Sequence, residues 1–449
     1  MAEWSQLPGE LLHLISTHLS SEIDLLRFCS VCSAWRSSVY RRTSLSPSRF
    51  PILPNSGISD TTWGFYLSKR TIYSVGLPQI QFRSCGGWII KLERDNPDRT
   101  HLLNPLTRSQ FTPLPENFPK RFDFSNFRIR ELGCEYTLQY INYRPLANSI
   151  GDAGNLYMEK VAFSPASKEE ETDAGFVILT IHVSGKLVMY KSGDTKWTVI
   201  NDLPLSPYED VIFNEGNFYA VDGTGRAVMV VNSSPGSVPN VSVIAGSVFG
   251  GDQKFLVESC GDLLLVDKYL NVGPDDDLGY NEGLEFYEEF DNFMSERTVK
   301  FKVFRLNRSG ERWVEVSNLG DRMLFLGDNC TFSAEVAEVN IRGKGNCILF
   351  TDQFFQSRED DEEWKSRGVG VFDLESGSIE AITSYQGYSE LFWPPPGWVY
   401  PKFSVQKIVP WSLGLLREQE GTKSRQVLKN FSIIRKNSEV TRILWNPNI

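Results

Sequence analysis

The side chains that could do chemistry in this chain are four histidines, seven cysteines and a large number of carboxylates. Cys29 and Cys32 form a CxxC pair, which indicates zinc binding or redox exchange when a second pair or a βαβ pattern accompanies it. Neither accompanies it here. His13 and His18 lie five residues apart, off the single helical face that a shared metal requires. We therefore expect buried thiols and no metal site.

Motifs of nucleophilic catalysis and phosphate transfer are also missing from the sequence. It contains no HExxH, GxSxG or P-loop pattern. The two short glycine pairs, Gly223/Gly225 and Gly343/Gly345, lack the length and the flanking residues of a phosphate-binding loop. We therefore expect no catalytic residue and no cofactor.

The composition is that of a globular protein, with 41% hydrophobic and 23% charged residues in a chain of 449. The formal net charge of −10 argues against sequence-independent binding to nucleic acid, which needs a basic face. No apolar run approaches the roughly 18 residues of a membrane span, and the polar N-terminus is unlike a secretory signal. We expect a reducing compartment, the nucleus or the cytoplasm or both, and neither a membrane nor a nucleic acid as partner.

The first forty residues have the periodicity of helices. Leu11, Leu12, Ile15 and Leu19 recur at helical spacing behind Pro8, which suits the first position of a helix. Ser21 and Asp24 have the spacing of a capping box for a second helix. That helix carries five apolar residues, namely Leu25, Leu26, Phe28, Val31 and Trp35. Residues 44–60 contain three prolines and cannot extend a helix, so we expect a linker there.

From residue 61 onward the pattern changes to short β-type runs separated by turn residues. Three pairs of runs flank tight-turn sequences, and each pair predicts a hairpin: 176–183 with 186–191, 217–222 with 226–231, and 254–259 with 262–267. A weak internal repeat of these units favours a β-propeller over residues 61–449. Six blades are favoured, with seven as the alternative.

An acidic insert interrupts the repeat at residues 275–296. It holds nine carboxylates and no Lys or Arg, together with several aromatic residues, among them Tyr280, Phe286, Tyr287 and Phe290. A solvated loop is one interpretation. A loop that binds a target protein through these aromatic side chains is the other.

The end of the chain allows two interpretations. Residues 431–445 read as a hairpin that could close the propeller ring by pairing with the first blade, which their aliphatic alternation favours. A flexible basic tail is the alternative. Upstream, Trp393 and Trp398 bracket a stiff proline-rich stretch that either lines a rim or packs between blades.

The N-terminal motifs resemble an F-box, with LPGELL at residues 7–12 and VCSAWR at residues 31–36. The resemblance implies twelve residues at or near an adaptor interface: Leu7, Pro8, Leu11, Leu12, Ile15, Leu19, Leu25, Leu26, Val31, Cys32, Trp35 and Arg36. Among these we expect Leu7, Pro8 and Leu11 to be contacts and Trp35 to be mainly core. A helical cap packed on the β domain is the alternative.

Residues 160–401 resemble the plant-specific C-terminal domain that follows an F-box in the SKIP-type family and is regarded as a β-propeller. The motifs include KVAFSP at 160–165, LVESCGDLLLV at 256–266 and WVEVSNLGDRMLFLGD at 313–328. The chain departs from the family in its long acidic insert and in its extension past Pro401.

Together these resemblances imply an α+β multidomain protein with a small all-α F-box at residues 1–43, a linker at 44–60 and an all-β propeller at 61–449. The function they imply is that of a substrate receptor, which binds a Skp-type adaptor, through it a cullin, and an unknown target protein. One alternative is a non-degradative F-box scaffold or nuclear cofactor. A second is a propeller enzyme or carbohydrate binder with a vestigial F-box, for which paired carboxylates in the channel would supply the chemistry.

Overall fold

Short helices begin the chain and β-strands make up almost all the rest. The computed structural model describes residues 7–19, 22–39, 49–52, 65–77, 87–96, 99–107, 118, 121–123, 127–140, 160–165, 175–182, 184–194, 197–202, 204, 206–231, 239–274, 294–341, 343–352, 368–385, 387–392, 396–399, 430–434 and 442–446. The small helical part and the large sheet-rich part that the sequence predicts are both present.

Three helices form the N-terminal part: α1 (Gly9–His18), α2 (Glu22–Val31) and α3 (Ser33–Ser38). Pro8 immediately precedes α1, and its carbonyl oxygen accepts hydrogen bonds from the amides of Leu11 and Leu12 at 3.1 Å each. A proline fits here because an N–H group at this position would have no partner inside the helix.

Part of the segment that we expected to be a linker is a strand. Strand β1 (Arg49–Ile52) pairs with β2 (Phe65–Gly76), with Arg49 opposite Ser68 and Ile52 opposite Phe65. Proline cannot donate to a ladder, but Pro51 is tolerated because β1 lies at the edge of its sheet. Residues 49–52 therefore belong to the β domain.

The remaining strands form five blades. The first blade contains β2, β3 (Trp88–Asn96), β4 (Arg99–Leu103) and β6 (Arg128–Tyr140), with β5 (Arg121–Asp123) beyond it. The second contains β7 (Val161–Pro165), β8 (Phe176–Ile181), β9 (Leu187–Lys191) and β10 (Thr198–Val199). The third contains β11 (Tyr208–Asn214), β12 (Asn217–Asp222), β13 (Ala227–Val231) and β14 (Asn240–Ala245).

The fourth and fifth blades complete the set. The fourth contains β15 (Gln253–Ser259), β16 (Asp262–Pro274), β17 (Met294–Asn307) and β18 (Arg312–Val316). The fifth contains β19 (Arg322–Leu326), β20 (Thr331–Glu335), β21 (Cys347–Thr351), β22 (Val369–Asp373) and β23 (Ile379–Ala381), with helix α4 (Val336–Val339) after β20. Three short 3-10 helices follow at Ile382–Ser384, Ser389–Leu391 and Gly397–Val399.

The inner strands of the five blades neighbour one another in a closed ring, in the order β6, β7, β11, β15 and β20. The described strands thus form five blades, where the sequence repeat favoured six. The reason is that β5 and the two last strands, β24 (Asn430–Ile434) and β25 (Arg442–Asn446), form no blade of their own. Strand β24 pairs with β4 and β25 with β5, so the C-terminal hairpin lengthens the outer edge of the first blade.

The three hairpins predicted from turn sequences are confirmed as the pairs β8–β9, β12–β13 and β15–β16. Between β15 and β16 the turn residues Cys260 and Gly261 have φ angles of 54° and 82°. Two consecutive positive φ values define the turn type that matches the twist of a hairpin. Apolar side chains on both faces of these strands then fill the space between successive blades.

A polar cluster ties the inner strands together near the ring axis. The Lys160 ammonium group lies 2.8 Å from Asp210 Oδ2 on β11 and 2.8 Å from Thr331 Oγ1 on β20. The Asp210 carboxylate also accepts hydrogen bonds from the amides of Val211 and Leu256. One lysine and one aspartate therefore connect four blades.

Candidate partner-binding surfaces

Helix α1 exposes an apolar face. Leu11, Leu14 and Ile15 are 48%, 55% and 39% exposed, and their spacing of three and four residues places them side by side on one face. Leu12, by contrast, is 1% exposed and points into the helical part. A contiguous apolar face of this kind on a small domain is typical of a protein-binding surface. We call Leu11, Leu14 and Ile15 the α1 face.

The predicted interface residues divide into exposed and covered ones. Pro8, Val31 and Arg36 are exposed, while Leu7, Leu19, Leu25 and Cys32 are intermediate. Trp35 is also intermediate, and its ring packs on Phe28 at a centroid distance of 4.5 Å. The prediction that Leu12 lies at the adaptor interface needs correction. Its side chain is buried and stabilises the helical part instead of contacting a partner. The side chain of Leu26 lies outside the described residues.

Leu14 is the residue that the sequence analysis missed. It is the most exposed of the three side chains on the α1 face. It is not one of the residues that match the F-box motif. Its spacing of three residues from Leu11 was the available signal. Periodicity shows that two residues share a face, but it does not show whether that face points inward or outward.

Helix α2 fixes the helical part to the first blade. The Arg27 guanidinium donates a hydrogen bond from Nη2 to the carbonyl oxygen of Ile129 at 2.7 Å. The Ile23 side chain packs against an apolar cluster of the same blade that includes Tyr73 and Trp88. The α1 face is therefore held in one orientation relative to the propeller.

The helices lie at the end of the ring where the inner strands β15 and β20 terminate. Next to Ile129, Arg130 forms an ion pair of 2.6 Å with Glu338 of α4, which directly follows β20. Strand β15 runs beside β20 in the same direction, because Ser259 Oγ lies 3.0 Å from Ser333 Oγ and the Leu256 carbonyl oxygen accepts from Thr331. Strand β16 therefore runs away from the helices.

The strands that flank the acidic insert reach the end of the sheet opposite the helices, and residues 294–296, which we expected to belong to the insert, are part of β17. The last residue pair between β16 and β17 joins Pro274 to Met294. This pair lies at the end of β16 that is far from the Cys260–Gly261 turn. The four aromatic residues that we expected to bind a target, Tyr280, Phe286, Tyr287 and Phe290, lie outside the described residues. What the structure describes is the position of the two strands that lead to them.

Of the described cysteines, Cys330 and Cys347 are buried, while Cys134 and Cys260 are exposed, so the expectation of buried thiols is wrong for part of them. The two buried thiols are poor nucleophiles. Burial raises the pKa of Cys330 to about 12, and burial likewise raises that of Cys347 to about 12. A thiol with such a pKa stays protonated at neutral pH, and only the thiolate is reactive. Within the described ranges, no group of three His, Cys, Asp or Glu side chains could hold a metal ion. No helix among the described residues is long and apolar enough to cross a membrane.

A helical part with an outward apolar face, fixed to a β-propeller, defines an F-box protein of the propeller class. Comparison with known families agrees with this description. An F-box-like profile matches residues 4–46, and a profile described as the KIB1-4 beta-propeller matches residues 64–373. The chain belongs to the family of F-box proteins that carry a KIB1-4 beta-propeller, and the resemblance inferred from the motifs is confirmed.

Relatives from Arabidopsis thaliana match over almost the whole chain. The F-box protein SKIP23 is 44% identical over 408 residues, which cover 89% of this chain and 96% of SKIP23. The F-box protein At2g17036 is 36% identical over 409 residues, covering 89% of this chain and 95% of that protein. A putative F-box/kelch-repeat protein, At5g24040, is 28% identical over 408 residues, covering 89% of this chain and 99% of the relative.

Proposed function

We propose that this chain is the substrate-recognition subunit of a Skp–cullin–F-box ubiquitin ligase. The observation that carries the proposal is the α1 face, because three exposed apolar side chains on a short helix need a partner to cover them. A Skp-type adaptor is the partner that an F-box implies. The adaptor in turn connects the chain to a cullin.

The mechanism is proximity, and no residue of this chain takes part in acyl transfer. The F-box holds the chain on the ligase, and the propeller holds a target protein. The lysines of the target then reach a high effective concentration beside the ubiquitin that is transferred. Anchoring of α2 by Arg27 supports this mechanism, since a fixed angle between the two parts keeps the target within reach.

The acidic insert is our second candidate surface on this chain. Strands β16 and β17, which flank the insert, pair as far as Pro274 and Met294, on the side of the propeller away from the helical part. Replacing the insert by a neutral linker of the same length should weaken target binding. If binding to an identified target is unchanged, the insert is a solvated loop.

Adaptor binding tests the proposal directly. We expect the double variant Leu11→Glu, Leu14→Glu to lose at least about a hundredfold in affinity for a purified Skp-type adaptor, because two carboxylates would have to be desolvated in the interface. The control is Val243→Glu, which introduces a carboxylate at a similarly exposed position of β14. Biolayer interferometry with the full chain measures both affinities.

Two outcomes would contradict the proposal. If the wild-type chain does not bind the adaptor, the helical part is a structural cap. If the double variant binds as well as the control, the α1 face is not the interface. A captured target whose half-life is unchanged when the chain is removed would instead favour a non-degradative scaffold.

A further inference from the structure

His18 lies on the same side of helix α1 as the exposed apolar residues. Leu14, Ile15 and His18 follow Leu11 at intervals of three, four and seven residues, which is the spacing of one helical face. Because a helix has about 3.6 residues per turn, His18 lies only about 20° from Leu11 around the helix axis. His18 is exposed, like its three neighbours. The α1 face therefore has a titratable side chain at its C-terminal end.

The buried side of α1 lies elsewhere around the axis. Leu12 and Ser16 are the buried residues of this helix, and they lie about 100° and about 140° from Leu11. Helix α1 packs against α3. The side that carries His18 is therefore a different one, and the described residues leave it open to a partner.

The charged groups of the three helices are engaged or distant from the last turn of α1. On α1 itself, Glu10 lies in the first turn. On α3, Arg36 is the one charged residue, and its Nε donates to a backbone carbonyl oxygen of α2 at 3.1 Å. On α2, Asp24 forms an ion pair of 2.8 Å with Arg27. The surroundings of the last turn of α1 on its exposed side are therefore mainly the apolar side chains of the α1 face.

The charge of His18 affects the free energy of covering the α1 face. Around the helix axis His18 lies between Leu14 and Leu11, so a partner that covers these two leucines also covers His18. Histidine is the side chain whose charge ordinarily changes between about pH 5 and pH 8. Burying an unpaired imidazolium against apolar atoms is unfavourable, whereas a neutral imidazole is buried at a much smaller cost.

We propose that His18 is a contact residue of the adaptor-binding surface and that it binds as a neutral imidazole against an uncharged part of the adaptor. Protonation of His18 weakens the complex, so that adaptor binding is linked to pH through one side chain. This role rests on the proposed function, in which the α1 face binds a Skp-type adaptor. It adds a titratable contact residue to an apolar face, and it names the kind of partner surface that this residue needs.

The pH dependence of adaptor affinity tests the role of His18. The full wild-type chain is titrated with a purified Skp-type adaptor by biolayer interferometry at about pH 7.5 and at about pH 5.5. We expect the affinity to fall by about five- to tenfold at the lower pH, as for one histidine that must release its proton to bind. His18→Gln should bind like wild type at the higher pH and should keep that affinity at the lower pH.

His13 provides the matched control on the same helix. It is also an exposed histidine, but it lies two residues from both Leu11 and Ile15, about 160° from each around the axis. His13→Gln should therefore keep the full pH dependence of the wild type. Titratable groups of the adaptor contribute equally to both variants, so the difference between His13→Gln and His18→Gln belongs to His18.

The variant His18→Leu separates a neutral contact from a charged one. Leucine fills the same place without a charge, so this variant should bind at least as tightly as wild type at about pH 7.5 and equally tightly at about pH 5.5. A carboxylate of the adaptor that paired with the imidazolium would give the opposite result. Wild type would then bind more tightly at the lower pH, and His18→Leu would bind more weakly than wild type.

Three results would each overturn the role of His18: a wild-type affinity that does not change with pH, a pH dependence that His18→Gln retains, and a wild type that binds more tightly at the lower pH. All three leave adaptor binding, and with it the proposed function, standing. If the wild type binds no adaptor at either pH, the proposed function and the role of His18 are both overturned.

Discussion

The helical part and the propeller axis place polar and apolar groups in opposite ways. In the helical part, Leu11 and Leu14 are exposed to solvent, and nothing among the described residues covers them. At the propeller axis, Lys160 and Asp210 are largely withdrawn from solvent and satisfied by one another and by neighbouring strands. The first arrangement leaves an apolar surface exposed, while the second pairs its charges within the chain. A substitution should therefore affect binding in the first region and folding in the second.

Two buried carboxylates in the propeller differ in how fully neighbouring cations compensate their burial. Burial alone would raise the pKa of Glu135, but Lys91 and Arg70 hold it below its ordinary value. Among the described residues, Lys160 is the one cation beside Asp210, and there burial prevails and raises the pKa of the carboxyl. Glu135 therefore favours the folded state above the ordinary pKa of a glutamate and loses this contribution as the pH falls.

The largest expected effect is at the axis. Asp210→Ala should lower the free energy of unfolding by about 3–5 kcal/mol, because it leaves the Lys160 ammonium without its counter-ion and two backbone amides without their acceptor. Urea unfolding measures the change. Asp262→Ala is the matched control, since its ion pair with Arg305 is half exposed and should contribute less than about 0.5 kcal/mol. Equal effects of the two variants would refute the difference between axis and surface.

The next effect distinguishes the two sides of α1. Leu12→Ala should destabilise the helical part by about 2–4 kcal/mol, because it opens a cavity, whereas Leu14→Ala should change stability by less than about 0.5 kcal/mol. Hydrogen exchange of the α1 amides reports the local stability. Adaptor affinity should show the reverse order. A similar stability loss for both variants would mean that Leu14 is also part of the interior.

Stability should fall at alkaline pH because of the buried thiols. The raised pKa values of Cys330 and Cys347 mean that both thiols stay protonated in the folded chain while those of the unfolded chain ionise. The folded state thus binds more protons, and its stability decreases as the pH rises above about 9, by about 1 kcal/mol per thiol and pH unit. Unfolding by urea from about pH 8 to about pH 10 measures the slope.

The control for this pH dependence is a set of cysteine variants. Cys330→Ala with Cys347→Ala should flatten the slope, and Cys260→Ala should not, because Cys260 is exposed. An unchanged slope in the double variant would assign the alkaline loss to other groups.

The smallest effect tests the connection between the two regions. Arg27→Ala should remove the hydrogen bond to Ile129 and cost about 1 kcal/mol, since the side chain is half exposed. Hydrogen exchange in α2 should become faster without a change in the propeller. Arg305→Ala, on the propeller surface, is the control. Unaltered exchange in α2 would show that apolar packing of Ile23 alone holds the helices.

The sequence predicted the local elements well and their arrangement poorly. The hairpin at Cys260–Gly261 follows from turn chemistry that acts within a few residues. The number of blades does not, because β24 and β25 could either build a blade or extend one, and only their pairing with β4 and β5 decides this. The strand at Arg49–Ile52 was missed for a related reason, since prolines mask an edge strand.

For the candidate surfaces, the sequence identified the helices of the F-box, and it named Leu11 and Ile15, which the structure shows to be exposed on α1. It could not order Leu11, Leu12 and Leu14 by exposure, because that order depends on how the three helices pack.

By itself, the sequence determined the order of helices and strands, the turns between paired strands and the family to which the chain belongs, since these depend on periodicity and on residues close together in the chain. Only the tertiary structure decided the ring of five blades that the described strands form, the outward direction of the α1 face and the cluster of Lys160 with Asp210 and Thr331. The reason is that each of these joins segments distant in sequence, and side-chain periodicity carries no information about which distant face will cover it.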